Sequence, residues 1–258
     1  MDFVRVERQG EVASVTINRP DKLNAINNAM WDRLSALFGE LDADQSLRCV
    51  IVRGAGDRAF SVGADISEFE ENRSSVERAR RYALRTHAAL DRIAGCRHPV
   101  IAAISGLCVG GGLELATCCD LRIAGESARF GIPVKRLGLV VAYSELKPLV
   151  DLIGPANAME ILLEGQILGA QRAYDMGLLN RVVPDDALDA EIQATAARIC
   201  QGAPLVARWH KKFTRRLMVA EPLSTEELDE SYHCFGTEDF RTGYRAFLAK
   251  TKPTFRGR

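Results

Sequence analysis

Three consecutive glycines, Gly110, Gly111 and Gly112, lie between two apolar segments and constrain the fold more than any other feature of the sequence. Residues 100–104 before them predict a buried strand, and residues 113–119 after them are apolar except for Glu114 and Thr117. Glycines allow a positive φ and a close approach to another group, and a helix N-terminus presents unpaired N–H donors. The segment predicts either a backbone anion site beside Glu114 or a tight strand-to-helix turn with a solvated glutamate.

Strand-like and helical segments alternate along the first half of the chain. Short apolar runs predict strands, and apolar residues spaced by three or four predict helices. The predicted strands are residues 4–8, 12–17, 49–52, 100–104, 121–124, 128–130 and 179–183, the helices begin at residues 24, 75 and 113, and residues 59–69 form a loop around Gly63. This order predicts an α/β fold with a mostly parallel sheet.

Beyond residue 137 the chain is mainly helical. Helices are predicted at residues 155–163, 170–176, 186–200, 204–219, 224–232 and 240–250. Pro148 is expected to shorten the start of the helix around it, because proline lacks the backbone N–H. We expect a core over residues 1–200 and a helical C-terminal module over residues 201–258.

The composition excludes several classes of protein. Lys and Arg together number 34, as do Asp and Glu, so no basic excess favours nucleic acid or an anionic membrane surface. No stretch approaches the ~18 apolar residues of a membrane span, and the N-terminus lacks the apolar core of a signal peptide. The seven cysteines follow no metal-binding spacing. We expect a cytoplasmic protein with reduced cysteines and no metal site.

Several separated motifs share their order with a known family. They are Asn-Arg-Pro-Asp-Lys-Leu-Asn-Ala-Ile at 18–26, Ala-Phe-Ser-Val-Gly-Ala-Asp-Ile at 59–66, residues 99–106 with 110–115, Phe-Gly-Ile-Pro at 130–133, and residues 137–139, 177–183 and 238–250. The full chain thereby resembles the crotonase (enoyl-CoA hydratase/isomerase) superfamily. This resemblance implies a crotonase-like spiral of strand-strand-helix turns, with the C-terminal module used in oligomerisation as a homotrimer or a dimer of trimers.

The resemblance also implies a substrate and a set of site residues. An acyl-CoA thioester would place its carbonyl oxygen between the N–H groups of Ala64 and Gly111, and Glu114 would act as general acid/base. Donors held in place for a developing enolate oxygen stabilise it strongly. Coenzyme A is then part of the substrate, and no cofactor is expected. Further contacts to the CoA moiety are implied for Lys22, Leu23, Ala25, Asp65, Ile66, Phe247 and Lys250.

The sequence departs from the hydratase pattern after Phe130. Hydratases of this family carry a second catalytic glutamate where this chain has Val134, whose side chain can neither hold water nor transfer a proton. A polar group could come instead from Tyr143, Ser144 or Glu145, although these residues are at least as well suited to begin a helix.

Three interpretations remain open. Glu114 alone could serve as acid and base in an enoyl-CoA hydratase-like lyase. The enzyme could instead run another enolate-based reaction, namely double-bond isomerisation, decarboxylation or thioester hydrolysis. It could also be an acyl-CoA-binding or scaffold protein without turnover. We favour the hydratase-like enzyme, because Glu114 would otherwise be a costly charge in an apolar helix and both oxyanion motifs are intact.

Overall fold

Two sheets organise residues 2–258, the part of the chain that the computed structural model describes. The larger sheet has the strand order β1-β2-β3-β5-β7-β10, with β1 at Val4–Gln9, β2 at Val12–Ile17, β3 at Cys49–Gly54, β5 at Val100–Ile104, β7 at Leu121–Gly125 and β10 at Arg181–Val183. The smaller sheet has the order β4-β6-β8-β9, with β4 at Ala59–Ser61, β6 at Leu107–Val109, β8 at Arg129–Gly131 and β9 at Leu168–Gly169.

Successive strands alternate between the two sheets, which produces the predicted spiral. β3, β5 and β7 lie side by side in the larger sheet, and each is followed at once by β4, β6 or β8 in the smaller one. All pairings are parallel except β1 with β2 and β8 with β9. A helix then returns the chain to the next strand of the larger sheet, so the α/β crotonase fold expected from the sequence is confirmed.

Helices cover both faces of the larger sheet. They are α1 (Asn28–Ala43), α2 (Phe69–Arg73), α3 (Val76–Gly95), α4 (Gly111–Cys118), α5 (Tyr143–Glu164), α6 (Ala170–Asp175), α7 (Leu188–Cys200), α8 (Pro204–Leu217), α9 (Thr225–Glu230) and α10 (Glu238–Ala249). The main core joins α1, α3 and α4 to one face, and α7 buries Leu188, Ile192 and Ala196 on the other. This two-sided burial explains why the central strands are apolar throughout. No helix in the described residues is both long and apolar enough for a membrane span.

Several predicted element bounds were wrong. Helix α1 begins at Asn28 instead of residue 24, because the Asn27 side chain accepts the Met30 N–H at 3.0 Å and caps the helix there. Asn24 lies before it with φ +57°, outside the helical region. Pro148 does not shorten the next helix, since α5 begins at Tyr143 and continues past the proline. Two short strands, β4 and β6, fell in segments without a strand-like pattern.

The C-terminal helices are tied to the core by buried and half-buried contacts. Arg215 of α8 donates to the Asp120 carboxylate at 2.9 Å, and Lys211 donates to the carbonyl of His98 at 2.8 Å. Arg48, which precedes β3, donates to the carbonyl of Phe255 at 2.6 Å. The boundary at residue 200 between a core and a C-terminal module stays a prediction.

The glycine turn at residues 110–112, which the sequence analysis singled out, brings the start of α4 into van der Waals contact with the end of β4. A Cβ atom on Gly112 would lie 2.2 Å from the carbonyl oxygen of Ser61, which ends β4. The Ser61 hydroxyl in turn donates to the Asn24 carbonyl at 2.8 Å and accepts the Gly63 N–H at 3.0 Å. The absence of a side chain at Gly112 therefore lets α4 begin directly against β4.

Replacing this glycine is expected to destabilise the fold, although alanine is the better helix former. In Gly112→Ala the new methyl group must push apart the backbones of α4 and β4, with a loss of about 1–3 kcal/mol in the free energy of unfolding. Gly39→Ala is the matched control, because Gly39 lies inside α1 with no atom near its missing Cβ. That variant should gain about 0.5–1 kcal/mol. Urea unfolding measures both, and a Gly112→Ala protein as stable as wild type would contradict the packing described.

Candidate active site

A cavity of about 150 Å³ lies beside the N-terminus of α4, where the two predicted oxyanion segments meet. Most of its wall is apolar, and its polar groups converge from α2, α3, α4 and α5. Small, largely apolar cavities with a few convergent polar groups are typical of ligand sites. Among the residues predicted from the sequence, those on its wall are Ala64, Ile66, Gly111, Glu114, Val134 and Glu145.

Two backbone N–H groups, of Ala64 and Gly111, border this cavity side by side. A Cβ atom on Gly63, where φ is +84°, would lie 2.5 Å from the Gly111 nitrogen, so only glycine allows this approach. On the other side of the loop the Ile26 N–H donates to the Gly63 carbonyl at 2.8 Å, which fixes its orientation. Neither the Ala64 nor the Gly111 N–H donates to an acceptor within residues 2–258. Both donors are available to an oxygen atom in the cavity.

Glu114 reaches the cavity from the first turn of α4. A Cβ atom on Gly111 would lie 3.6 Å from its Oε2, which places the carboxyl group next to the two free N–H groups. Burial and, to a smaller extent, the negative charge of Glu145 raise the pKa of Glu114, the positive charge of Arg73 lowers it, and the net result is a pKa of about 8. Burial and like charge prevail, so Glu114 holds a proton at neutral pH.

Glu145 is the second carboxyl group on the cavity wall. It is the third residue of α5, where its Oε2 accepts the Ala142 N–H at 3.1 Å, as in the return bond of a capping box. Its Oε1 lies 3.1 Å from Nε2 of His87 on α3. Glu145 therefore both caps the start of α5 and lines the cavity, although the sequence indicated the capping role more strongly. Position 145 thus places a carboxyl group on the wall of the same cavity as Val134.

Tyr143, another candidate for that polar group, does not reach the cavity. As the first residue of α5 it is 95% exposed, and its neighbour Ser144 places its hydroxyl 3.1 Å from Nε2 of His87 on the outer side. The helical period separates residues 143 and 145 by about 200°, so only one of them can face inward.

Among the cavity residues that were not predicted from the sequence are Arg73, Tyr82 and Trp31. The Arg73 guanidinium stacks over the rings of Phe69 and Tyr82, 4.7 Å from each centroid. The indole N–H of Trp31 donates to the Tyr82 hydroxyl at 3.2 Å. Trp31 and Tyr82 lie in segments whose apolar spacing predicts helices, Arg73 lies between the predicted loop and the next predicted helix, and no local motif marks any of them.

A larger groove of about 880 Å³ follows β1 and β2 on another part of the surface. Its charged residues face solvent, and the ion pair between Arg53 and Asp189 at 2.6 Å already neutralises part of them. It lacks the convergent buried groups of the smaller cavity. The cavity beside α4 is therefore the candidate active site.

Residues 7–258 match the family described as enoyl-CoA hydratase/isomerase. The chain belongs to this family. It is 35% identical over 255 residues to the short-chain-enoyl-CoA hydratase of Clostridium acetobutylicum, covering 98% of this chain and 97% of the relative. The crystal structure of an enoyl-CoA hydratase/carnithine racemase from Magnetospirillum magneticum superimposes with a TM-score of 0.98 at 50% identity, covering 100% of this chain and 97% of that one.

The other residues predicted to contact CoA in this enoyl-CoA hydratase/isomerase family member lie off the cavity wall. Asp65 pairs with Arg19 at 2.9 Å, and the segment before α1 carries the exposed Lys22, the left-handed Leu23 and the buried Ala25. Phe247 and Lys250, at the end of α10, are exposed in the single chain, Phe247 to 82%. Their CoA contacts stay predictions.

Glu114 is expected to make stability fall as the pH rises. Its pKa is raised from 4.5 to about 8 in the folded protein, so the folded state keeps a proton that the unfolded state releases between these values. Glu114→Gln removes the ionisation and should stabilise the protein above pH 8 by about 2 kcal/mol, after a discount for solvent reaching the cavity. Near pH 4 the variant should match wild type.

Melting temperatures measured across this pH range test the effect. Glu126→Gln, which changes an exposed glutamate outside the cavity, is the control and should leave the pH dependence unaltered. A constant difference between Glu114→Gln and wild type at every pH would show that the Glu114 pKa is not raised.

Proposed function

We propose that the protein is an enoyl-CoA hydratase-like lyase that adds water across the double bond of a 2-enoyl-CoA thioester. The observation that carries this proposal is the pair of carboxyl groups, Glu114 and Glu145, on one cavity wall beside two free backbone N–H groups. Curated relatives of similar length, named as short-chain-enoyl-CoA and crotonyl-CoA hydratases, support the same reaction class.

The two N–H groups supply the electrostatic part of the mechanism. The thioester oxygen accepts hydrogen bonds from Ala64 and Gly111, and the carbonyl draws electrons from the conjugated double bond. When a water oxygen adds to C3 of the acyl chain, negative charge develops on the thioester oxygen as an enolate. Fixed donors in a small apolar cavity stabilise that charge more than the neutral carbonyl, and each contributes about 3 kcal/mol to the lower barrier.

The two carboxyl groups supply the proton transfers. Burial and the negative charge of Glu145 raise the pKa of Glu114, so Glu114 carries the proton of this pair at neutral pH. The ionised member takes a proton from the water as the bond from oxygen to C3 forms, and the protonated member gives its proton to C2 as the enolate collapses. The product is a 3-hydroxyacyl-CoA, and proton exchange between Glu114 and Glu145 restores the starting state. Water addition uses both carboxyl groups, whereas double-bond isomerisation needs only one proton carrier.

We also propose that the protein forms a trimer-based assembly in the cytoplasm. The C-terminal helices expose large apolar side chains that a subunit contact would cover, among them Leu217, Phe235, Tyr244, Phe247 and Leu248. All seven cysteines are free thiols, as expected in a reducing compartment. Such a contact could also bring Phe247 and Lys250 to a neighbouring CoA site.

Removing either carboxyl group is expected to abolish most of the hydration. Glu114→Gln and Glu145→Gln should each lower kcat on crotonyl-CoA by about 10²–10⁴-fold, because an amide cannot accept or release the proton. The loss of enoyl thioester absorbance measures the rate, and Glu126→Gln serves again as the control. Full activity in Glu145→Gln would leave Glu114 as the sole acid and base.

Wild-type protein that hydrates neither crotonyl-CoA nor longer 2-enoyl-CoAs would end the hydratase proposal. Mass spectrometry of products from 3-enoyl and malonyl-type thioesters then separates isomerisation, decarboxylation and thioester hydrolysis. CoA esters that bind without any turnover would favour the acyl-CoA-binding protein.

A further inference from the structure

Arg73 is a charged residue of the cavity that the proposed hydration does not use. It ends α2 and reaches the cavity wall, where its Nε atom is buried and has no hydrogen-bond partner. No ion pair within the described residues includes Arg73. Arg73 is half-buried, and its buried Nε–H without an acceptor costs folding free energy, so an anion that accepts this N–H would offset the cost.

Glu114 is not the counterion of Arg73. The positive charge of Arg73 lowers the Glu114 pKa, yet burial and Glu145 together raise it well above that of a free glutamate. A true ion pair would hold the pKa of the carboxyl group below its usual range instead. At neutral pH the positive charge of Arg73 is therefore left for another anion.

The groups around Arg73 are arranged as a second donor site. The rings of Phe69 and Tyr82, 4.7 Å from the guanidinium, hold it by stacking, and its buried Nε–H has no acceptor. Trp31 can only donate, so the Tyr82 oxygen accepts the indole N–H at 3.2 Å. The Tyr82 proton is then directed elsewhere, and it meets no acceptor within residues 2–258. Guanidinium and hydroxyl together match one carboxylate.

Buried side chains surround this donor pair. Tyr82, Trp31 and Leu90 line the wall around it, and all three are buried against α1 and α3. The phosphates of a bound CoA would remain near solvent, whereas the acyl chain extends inward from the thioester at Ala64 and Gly111. The anion that meets Arg73 therefore belongs to the acyl group.

We propose that Arg73 and Tyr82 bind a carboxylate at the far end of the acyl chain, so that the preferred substrates are CoA monothioesters of dicarboxylic acids. This inference deepens the proposed function and rests on it for the position of the thioester. The same charge repels an acyl chain that ends in a quaternary ammonium group and gives no advantage to a chain that ends in methyl.

Binding of saturated thioesters tests the proposal without any reaction. Calorimetry compares adipoyl-CoA with hexanoyl-CoA, which have the same carbon number and differ in the terminal carboxylate. Wild type should bind adipoyl-CoA more tightly, and Arg73→Met should weaken adipoyl-CoA alone by about 10–100-fold, the range for hydrogen bonds to a charged group. Tyr82→Phe should weaken adipoyl-CoA by about tenfold or less. Arg73→Lys should restore part of the preference, since it keeps the charge and loses the planar fork.

The control variant is Arg80→Met, which removes an exposed arginine of α3 outside the cavity and should change neither affinity. Circular dichroism checks that each variant is folded. If Arg73→Met does not fold, the separate variants Arg73→Lys and Tyr82→Phe test the proposal. Equal loss of affinity for both thioesters in Arg73→Met, or a wild-type preference for hexanoyl-CoA, would overturn the proposal. Weaker binding of free CoA in Arg73→Met would also overturn it, by placing Arg73 against the CoA moiety.

Turnover separates this inference from the proposed function. Glutaconyl-CoA and 2-pentenoyl-CoA, matched in carbon number, are compared for hydration, and kcat/KM should favour glutaconyl-CoA in wild type and not in Arg73→Met. A protein that prefers adipoyl-CoA in binding and hydrates neither enoyl thioester would keep the carboxylate subsite and lose the hydratase function. One that hydrates both equally, with no preference in binding, would keep the function and lose the subsite.

Discussion

The site depends on the contact between two backbone segments, residues 61–64 after β4 and residues 110–112 before α4. A Cβ atom on Gly112 would lie 2.2 Å from the Ser61 oxygen, and one on Gly63 would lie 2.5 Å from the Gly111 nitrogen. Because no side chain separates the segments, the N–H groups of Ala64 and Gly111 end up adjacent and without acceptors among the described residues. The position of Glu114 and the availability of two adjacent N–H donors at the cavity both follow from this contact.

Placing two carboxyl groups in one cavity lowers the stability of the fold. Glu114 and Glu145 line one low-dielectric cavity, and the negative charge of Glu145 makes ionisation of Glu114 more costly. Glu145 is held in place by the Ala142 N–H and by His87, whereas Glu114 has only the cavity around it and keeps its proton instead. Unfavourable electrostatics of this kind are typical of acid–base sites, where carboxyl groups are placed for proton transfer at neutral pH.

The parts of the structure predictable from sequence are those encoded by contiguous residues. The three glycines, Glu114 and the loop around Gly63 lie within short motifs, and the alternation of strands and helices follows from apolar spacing. The three-residue strands β4 and β6 were missed because so few residues show no period. The sequence marks Glu145 only weakly as a site residue, because a glutamate at the third position of a helix is already explained by capping. Arg73 and Tyr82 meet only through the packing of α2 against α3, which no local pattern reveals.

The cavity is built from two parts of the fold, the connections between the sheets and the helices around them. In the proposed function the connections between the sheets bind the thioester oxygen through backbone N–H groups, which would suit any acyl-CoA. Side chains from α2, α3 and α5 line the rest of the cavity and contribute Arg73, Tyr82 and Glu145. Substitutions on those helices leave the backbone donors untouched. Under the proposed function, substitutions on those helices can therefore change the substrate, and the second carboxyl group can come from position 145 instead of position 134, while the backbone site at Ala64 and Gly111 stays the same.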